Sequence, residues 1–496
     1  MHDKLSVNYK LRNMRNYYFT LGIALLCCIN VFSANWMKRL PNHLFLSQVS
    51  IPGTHDSATG NGVTLAAFSQ CQDIDVATQW SLGVRAFDFR PKVNGDHLHI
   101  NHGIAQTSLR FDDALFLLRD SLIANPSEFA VVHMLYATGY DNEKDVYVTM
   151  LNELLNRDDL KDYLIDFRSD LTVGDMRGKI LLLSREQYAT VPITGGFFQN
   201  WCGWLDWGAQ TSCSIIGPGN TVTKRSKLYV QDFSNTTDEN GGVKAKIDAV
   251  KQMLNFSTKH ETNKSDDVIW VFNFASAYHG SLSTANGYRE NATNTNAAII
   301  EYLKENVPGP TGVILMDYAG VDRSPNVSTG KYLTRGKEAI DSIIVNNYKW
   351  LTLVNQDIYD RVIKRVDRLY SKLEDAETTI AEECKDVAAE FEDDLLAARA
   401  VVDSMKSEID SLCANWLLTE SYSIEYTPTN KIITGIISSA QEAQTKYEQE
   451  MSVGVVRKEN KVVQIYTISG ERLNQRKQGD INIVRYANGV VKKELY

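Results

Sequence analysis

Seven short apolar runs punctuate residues 44–320, each followed by a longer amphipathic or polar stretch. The runs are 44–51, 84–89, 129–135, 180–183, 228–230, 268–274 and 313–316, and helical spacing of apolar residues lies between them, as in 111–124, 146–154, 243–254 and 296–305. Strands joined through helices of this size pair in parallel, which predicts a parallel sheet. What ends each run narrows the architecture further. Thr54-His55-Asp56 closes the first and Asp88-Phe89-Arg90 the second, while His133 sits in the third. Arg185 follows the fourth, Asp232 the fifth, Asn273 interrupts the sixth, and Asp317 ends the seventh. Reactive side chains gathered from the C-terminal ends of many strands are expected of an α/β fold of the (β/α) TIM-barrel type. An open doubly wound sheet would collect them at one switch point beside a glycine-rich nucleotide loop, and neither GxGxxG nor a P-loop is present.

The remaining length calls for more than a barrel. A chain of 496 residues has room for roughly two to four domains. Residues 351–452 carry a different rhythm: Ile358, Val362, Val366, Leu369, Leu373, Ala376 and Ile380 form a heptad-like seam that Val387 to Leu412 continues. No Pro or Gly occurs from Asp357 to Thr427, so a helical hairpin or stalk is expected, with a further helix near 434–451. The seam suits self-association or packing on the side of the barrel equally well. Residues 453–496 turn to β chemistry, with 462–466, a Ser469-Gly470 turn, 481–486 and an Asn488-Gly489 pair that signals a hairpin. This tail resembles the short C-terminal β modules of exported proteins of Gram-negative bacteria, some of which act as sorting signals. The barrel is then assigned to residues 35–350.

Charge and the N-terminus limit partners and location. Acidic residues number 61 and basic residues 52, an excess of 61 − 52 = 9, with no Lys/Arg block beyond the N-terminus. Nucleic acid is therefore excluded as the main partner, since phosphate binding needs a basic footprint. Lys4, Lys10, Arg12 and Arg15 precede an uncharged stretch, 17–34, that ends in Ser33-Ala34. That is the pattern of a signal peptide over 1–34. A membrane anchor is the alternative, but Asn30 and the small-residue exit favour cleavage, and the bulky Leu26 before Cys27 argues against lipidation. The expected location is outside the cytoplasm: secreted, periplasmic or at the cell surface. Five cysteines follow the signal segment, and Cys202 and Cys213, flanking a Gly/Trp-rich loop, are the best disulfide candidates.

Two histidines stand apart from the other seven. His55 ends a strand and is followed by small and polar residues, and His102 ends the extended piece 97–102 just before Gly103. Asp88 and Arg90, two residues apart on a strand, point the same way. Two imidazoles, a guanidinium and carboxylates are sufficient for phosphodiester cleavage by general acid–base catalysis. A metal site is the weaker reading, because His97 and His99 lack a carboxylate pattern and Arg90 would repel a cation.

The segments 50–57 (SIPGTHDS), 83–90 (GVRAFDFR) and Asn101-His102-Gly103 resemble, in order and separation, the X region of bacterial phosphatidylinositol-specific phospholipase C. Asn125-Pro126-Ser127-Glu128, Arg177-Gly178-Lys179-Ile180, Val230-Gln231-Asp232 and Met316-Asp317-Tyr318 extend the likeness over residues 44–320. The resemblance implies an exported enzyme that cleaves phosphatidylinositol, or a glycosyl-inositol phospholipid, at a membrane surface. It implies His55 as general base, His102 as general acid and Arg90 on the phosphate, with Asp317 orienting His55, Asp88 pairing with His102 and Asp56 polarising the site. No cofactor or metal is needed. Arg185 and Asp232 match positions that bind inositol hydroxyls. The family's basic residue on the third strand falls near Leu135, which leaves His133 and Tyr136 as substrate-binding candidates, and its stacking tyrosine is Ser234 here. Phe197, Phe198, Trp201, Trp204 and Trp207 crowd one loop, suited to a lipid interface, to sugar stacking, or to a small disulfide-bound core. Two rivals stand beside this reading: a glycerophosphodiester phosphodiesterase, which needs a metal and a His-Arg-Gly start that is absent, and a non-catalytic binding barrel on a helical stalk.

Overall fold

The computed structural model describes residues 33–186, 195–203, 207–218, 225–259 except 235, 238 and 240, 268–280, 285–324, and 332–495 except 420, 460 and 488. The expected signal segment lies outside them, apart from Ser33 and Ala34. The chain divides into two compact units, residues 1–353 and 354–496.

The first unit is a closed barrel. Its strands are β1 (Ile51–Thr54), β2 (Ala86–Phe89), β6 (Ala130–Met134), β7 (Ile180–Ser184), β8 (Gly196–Gln199), β9 (Ser214–Ile216), β10 (Arg225–Gln231), β11 (Ile269–Phe274) and β12 (Val313–Met316). They run in the order β1-β12-β11-β10-β9-β8-β7-β6-β2, and β2 pairs with β1 to close the ring. Every pairing is parallel except those of β9, which is antiparallel to both neighbours. Three further strands, β3 (Pro91–Asn94), β4 (His97–His102) and β5 (Ala105–Arg110), form a separate antiparallel sheet. Helices Phe111–Ala124, Tyr140–Leu155, Gly242–Lys259 and Gly287–Glu305 fill the intervals between strands. The barrel strands are largely apolar, because a strand covered on both faces has little solvent side on which to place polar residues. β7 shows it: Ile180, Leu181, Leu182 and Leu183 are all fully buried. The polar exceptions include Asp88 and His133, buried near strand ends, and the exposed Arg225 and Lys227 of β10.

Two expectations about strands are corrected. The apolar run 44–51 is not a strand: Leu46–Gln48 is a turn of 3-10 helix, and β1 begins at Ile51. The run is apolar because Leu46 and Val49 are buried, with Leu46 N–H donating to the Leu171 carbonyl and Val173 N–H to that of Leu44. β1 itself contains Pro52 and Gly53, poor strand formers. A Cβ at Gly53 would lie 2.6 Å from Leu315 Cδ2 and 2.8 Å from Ala86 Cβ, so glycine is what lets the barrel close there. β8 and β9 are additional strands, only four and three residues long, from the aromatic loop.

In the second unit the heptad seam is used up inside the chain. Val366, Leu369, Leu373, Ala376 and Ile380 of helix Gly336–Glu383 pack in one core with Ala398, Val402 and Ile409 of helix Glu392–Ala414. Ile433, Ile436 and Ala440 of a third helix, Tyr426–Glu459, complete it. The two seam helices form a hairpin, and the further helix expected near 434–451 runs from Tyr426 to Glu459 and packs on it, so the seam is buried within the chain. Pro428 falls in the first turn of the third helix, where its missing N–H costs nothing. Strands β13 (Val462–Thr467), β14 (Arg472–Leu473), β15 (Ile481–Tyr486) and β16 (Val491–Leu495) form an antiparallel sheet in the order β14-β13-β15-β16. No described helix is long and apolar enough to cross a membrane.

Leu373 is fully buried at the centre of this helical core. Leu373→Ala should cost about 2–5 kcal/mol. Calorimetry should show the transition of the second unit moving down while that of the barrel holds; a single transition moving as a whole would show that the two unfold together.

Candidate active site

The C-terminal ends of the barrel strands bring His55, Asp56, Asp88, Arg90, His133, Arg185, Asp232 and Asp317 into one network. His55 follows β1, and its Nδ1 lies 2.8 Å from Asp317 Oδ1 after β12. Its Nε2 lies 2.7 Å from Arg90 Nη2 after β2. A guanidinium has donors and no acceptors, so Nε2 must carry the lone pair and Nδ1 the proton, which is donated to Asp317. His55 is thus a neutral imidazole. Burial, then the adjacent Arg90, holds it well below the ordinary 6.5. Burial and the neighbouring Asp56 push the Asp317 carboxyl up, which makes it a stronger acceptor for the Nδ1 proton.

Asp56 sits in the left-handed region at φ 42°, ψ 53°, uncommon for a residue with a Cβ. Its backbone N–H donates to Asp88 Oδ2 at 3.1 Å, which holds the turn and aims its carboxylate at the centre. There Oδ1 is 3.0 Å from Arg90 Nε, and Oδ2 is 3.2 Å from His55 Nε2 and 3.5 Å from His102 Nε2. His102 arrives from outside the barrel, at the end of β4. Its Nδ1 donates to the Ser69 carbonyl at 2.7 Å, which leaves Nε2 for chemistry, 3.2 Å from the Tyr288 hydroxyl. The expected pairing of Asp88 with His102 is not what the structure contains: Asp88 accepts from His133 Nδ1 at 2.7 Å and from Arg90 at 3.3 Å, and the carboxylate facing His102 is Asp56. β4 belongs to the separate sheet, so closeness in sequence to Asp88 said nothing about which carboxylate it meets.

The opposite side of the network holds Arg185 and Asp232, whose ion pair is 2.8 Å long. Trp201 donates its indole N–H to the same Asp232 oxygen at 3.0 Å, and the Arg185 guanidinium lies 3.9 Å above its ring. His133 and Tyr136, expected to touch substrate, do not offer it a polar atom. His133 is 2% exposed, with Nδ1 on Asp88 and Nε2 accepting from Arg185 Nε at 3.0 Å. The Tyr136 hydroxyl donates to Glu143 and accepts from Val93 N–H. Phe197 and Phe198 are buried rather than presented to lipid. Trp204 is outside the described residues. Cys202 and Cys213, the expected disulfide candidates, stand side by side with their sulfurs 2.6 Å apart.

Sequence reasoning did not single out Tyr288 or Lys246, and it saw Trp201 only as one of a loop of aromatics. Lys246 is fully buried; its ammonium donates to Gln231 Oε1 at 3.2 Å and to the Phe233 carbonyl, on either side of Asp232. Burial lowers its pKa to about 7. One signal for it was legible: Lys246 lies on the same helical stripe as Ala249, Val250, Met253 and Ser257. Among the described residues, His55, Asp56 and Cys71 form the group whose donor atoms lie close enough to share a cation, all within 4.8 Å. Arg90, in contact with both His55 and Asp56, already supplies positive charge at that place.

The His55 ring should remain neutral as pH falls below 6.5, which imidazole 15N NMR reads directly. Arg90→Gln should raise its pKa, because a positive neighbour is removed. Burial lowers His133 as well. For both rings the folded pKa lies below the unfolded one, so their contribution to stability is complete above about pH 6.5 and is lost as pH falls from there. A His55 ring that titrates at or above 6.5 in the intact protein would contradict this arrangement.

No family model matches the chain. A 1-phosphatidylinositol phosphodiesterase of Staphylococcus aureus (strain Newman) is 28% identical over 301 residues, 58% of this chain and 88% of that protein. One from Listeria monocytogenes is 31% identical over 174 residues, 33% of this chain and 52% of that protein. Among solved structures, a phosphatidylinositol-specific phospholipase C of S. aureus aligns with 23% identity and a TM-score of 0.48 over 62% of this chain and 97% of that one. That of L. monocytogenes aligns with 24% identity and a TM-score of 0.46 over 63% and 98%. Over more than half its length, then, the chain is a relative of the bacterial phosphatidylinositol-specific phospholipases C, the family its strand-end motifs resemble.

Proposed function

We propose that the protein is an exported phospholipase C that cleaves phosphatidylinositol, or a glycosyl-inositol phospholipid, to diacylglycerol and a cyclic inositol phosphate. The observation that carries this reading is the pair of imidazoles around Arg90 and Asp56: the rings of His55 and His102 are 6.3 Å apart between centroids, nearly perpendicular, with their Nε2 atoms turned to the same carboxylate. His55 Nε2 takes the proton from the inositol 2-hydroxyl. That oxygen bonds to phosphorus as the bond from phosphorus to the diacylglycerol oxygen breaks, and His102, protonated on Nε2, gives its proton to the leaving oxygen. Arg90, anchored by Asp56 and Asp88 through Nε and Nη2, brings its fixed positive charge and its Nη1 N–H groups to the charge that develops on the phosphate. Asp317 keeps His55 in the productive tautomer, and Arg185 with Asp232 receives the inositol hydroxyls.

Beside His102, where the leaving group departs, a cavity of about 710 Å³ opens on the surface, lined in part by Leu65, Phe68, Ile104, Tyr278 and Tyr288. Leu65, Phe68 and Ile104 are 60%, 44% and 84% exposed, an apolar lip for which solvent is a poor partner. A glycerolipid fits this place: its acyl chains meet the lip while its oxygen meets His102. The chain's acidic balance makes apolar contact, rather than charge, the hold on the bilayer. Neither the glycerophosphodiesterase nor the non-catalytic barrel has an observation of its own in its favour.

Phosphatidylinositol vesicles followed by 31P NMR test the reaction; the expected product is a five-membered cyclic phosphate. His55→Ala and His102→Ala should each lower turnover by roughly 10²–10⁴ or more. A leaving group of low pKa should partly rescue the His102 variant and leave the His55 variant unrescued. Near-normal turnover in either would remove the acid–base assignment. Because Arg90 supplies the fixed charge, EDTA should leave the rate unchanged, while Arg90→Lys, which loses the planar fork, should lower it sharply. An enzyme dead until calcium is restored would favour a metal-dependent phosphodiesterase instead. Phe68→Ser with Ile104→Ser should weaken vesicle binding while sparing turnover of a water-soluble inositol phosphodiester.

A further inference from the structure

Three observations meet at His133, a residue on which the proposed chemistry makes no direct call. Both of its ring nitrogens are engaged by charged groups: Nδ1 with Asp88 Oδ1 at 2.7 Å and Nε2 with Arg185 Nε at 3.0 Å. Arginine can only donate, so the ring is neutral with its proton on Nδ1, the tautomer His55 also has. The ring is fixed in place by aromatic neighbours, with Trp201 and Phe274 at 5.4 Å, Phe198 at 5.5 Å and Phe272 at 6.5 Å between centroids. Finally, the contacts on either side of it join into one alternating sequence. Asp317, His55, Arg90 and Asp88 form its catalytic half, and Arg185 with Asp232 its head-group half. His133 is the link between the halves.

We propose that His133 is a positioning residue that ties the head-group pocket to the placing of Arg90 on the phosphate; the proposal rests on the phospholipase reading above. Asp88 uses one oxygen for His133 and the other for Arg90 and the Asp56 backbone N–H. With Oδ1 held by a ring that cannot turn, Oδ2 keeps a single direction, and so do Arg90 and the left-handed turn at Asp56. On the other side, Nε of Arg185 is held by the same ring, so its remaining N–H groups are presented to the head group in one orientation. A head group that draws on Arg185 therefore pulls on a chain ending at the catalytic base. His133 does this without touching substrate.

Two substitutions separate the hydrogen bonds from the volume. His133→Phe keeps a ring of similar size and removes both bonds; His133→Gln keeps a donor for Asp88 and an acceptor for Arg185 and loses the ring. Loss of charge-assisted bonds on this scale should lower kcat on phosphatidylinositol by about 10–100-fold in His133→Phe. His133→Gln should return it to within a few-fold of wild type. A merely structural role predicts the opposite order, with His133→Phe active and His133→Gln impaired, and that result overturns the proposal, as does equal loss in two variants that both melt like the wild type. Arg185→Ala combined with His133→Phe should be no slower than the slower single variant; multiplying effects would mean that the two residues act apart. A readout independent of turnover is the imidazole 15N spectrum. Arg185→Ala should move the His55 ring signals in the wild-type background and leave them in place in His133→Phe. If the wild type proves inactive on inositol lipids while this coupling is present, the functional reading falls and the link stands. Absence of the coupling removes the link, whatever the activity.

Discussion

The Asp88 carboxylate is fully buried and ionised, a state tolerable only when charged and hydrogen-bonding partners compensate for the water it has lost. Burial alone would raise its pKa, but Arg90 and His133 outweigh that effect and hold it well below the ordinary carboxylate range. Its two oxygens are shared among the Arg90 guanidinium, the His133 ring and the Asp56 backbone N–H. Through the last of these it holds the left-handed turn that separates His55 from Asp56. The imidazole faces Arg90 and the carboxylate faces His102 because this one bond keeps the chain turned. The arrangement places a guanidinium, a neutral imidazole and a carboxylate within hydrogen-bonding reach of one another.

The barrel serves that cluster by the way it closes. Gly53 lets β1 approach β12 and β2 closely, and its successors Thr54 and His55 inherit that position. The short antiparallel β9 is inserted between β8 and β10, and Trp201, just after β8, meets Arg185 and Asp232 on the opposite half of the mouth. His102 comes from a sheet that is no part of the barrel. Its approach from outside explains why it lies beside an apolar, solvent-facing lip while His55 lies deep, and the two imidazoles thus occupy different surroundings.

Most residues of the candidate site were legible because each ends an apolar run and therefore must lie at one rim. Which of them touch was not. The pairing of His102 with Asp56 depends on how the β3-β4-β5 sheet folds over the barrel, and residue spacing along the chain contains no trace of that. His133 and Tyr136 were drawn into the substrate site by position on the third strand. Strand position sets which way a side chain points, not whether another side chain already fills the space, and here Arg185, Asp88 and Glu143 do. In the helical unit the seam was visible as heptad spacing, but the reversal near residues 384–391 carries neither glycine nor proline, so where the long helix stops was invisible.

The amino-acid sequence by itself determined that the strands pair in parallel, through their alternation with helices, and pointed to a barrel through the polar residues that end many of them. It determined equally the apolar stripe of the helices and the β character of the tail, since these are local consequences of side-chain spacing. The tertiary structure decided what local rules cannot reach. It decided that the run 44–51 is buried without being a strand, that the seam is filled by a third helix of the same chain, and that His55 and His133 share a tautomer because each has an arginine on one nitrogen and an aspartate on the other. A tautomer is fixed by partners, and those partners come from strands more than 30 residues apart in sequence, joined only when the barrel closes.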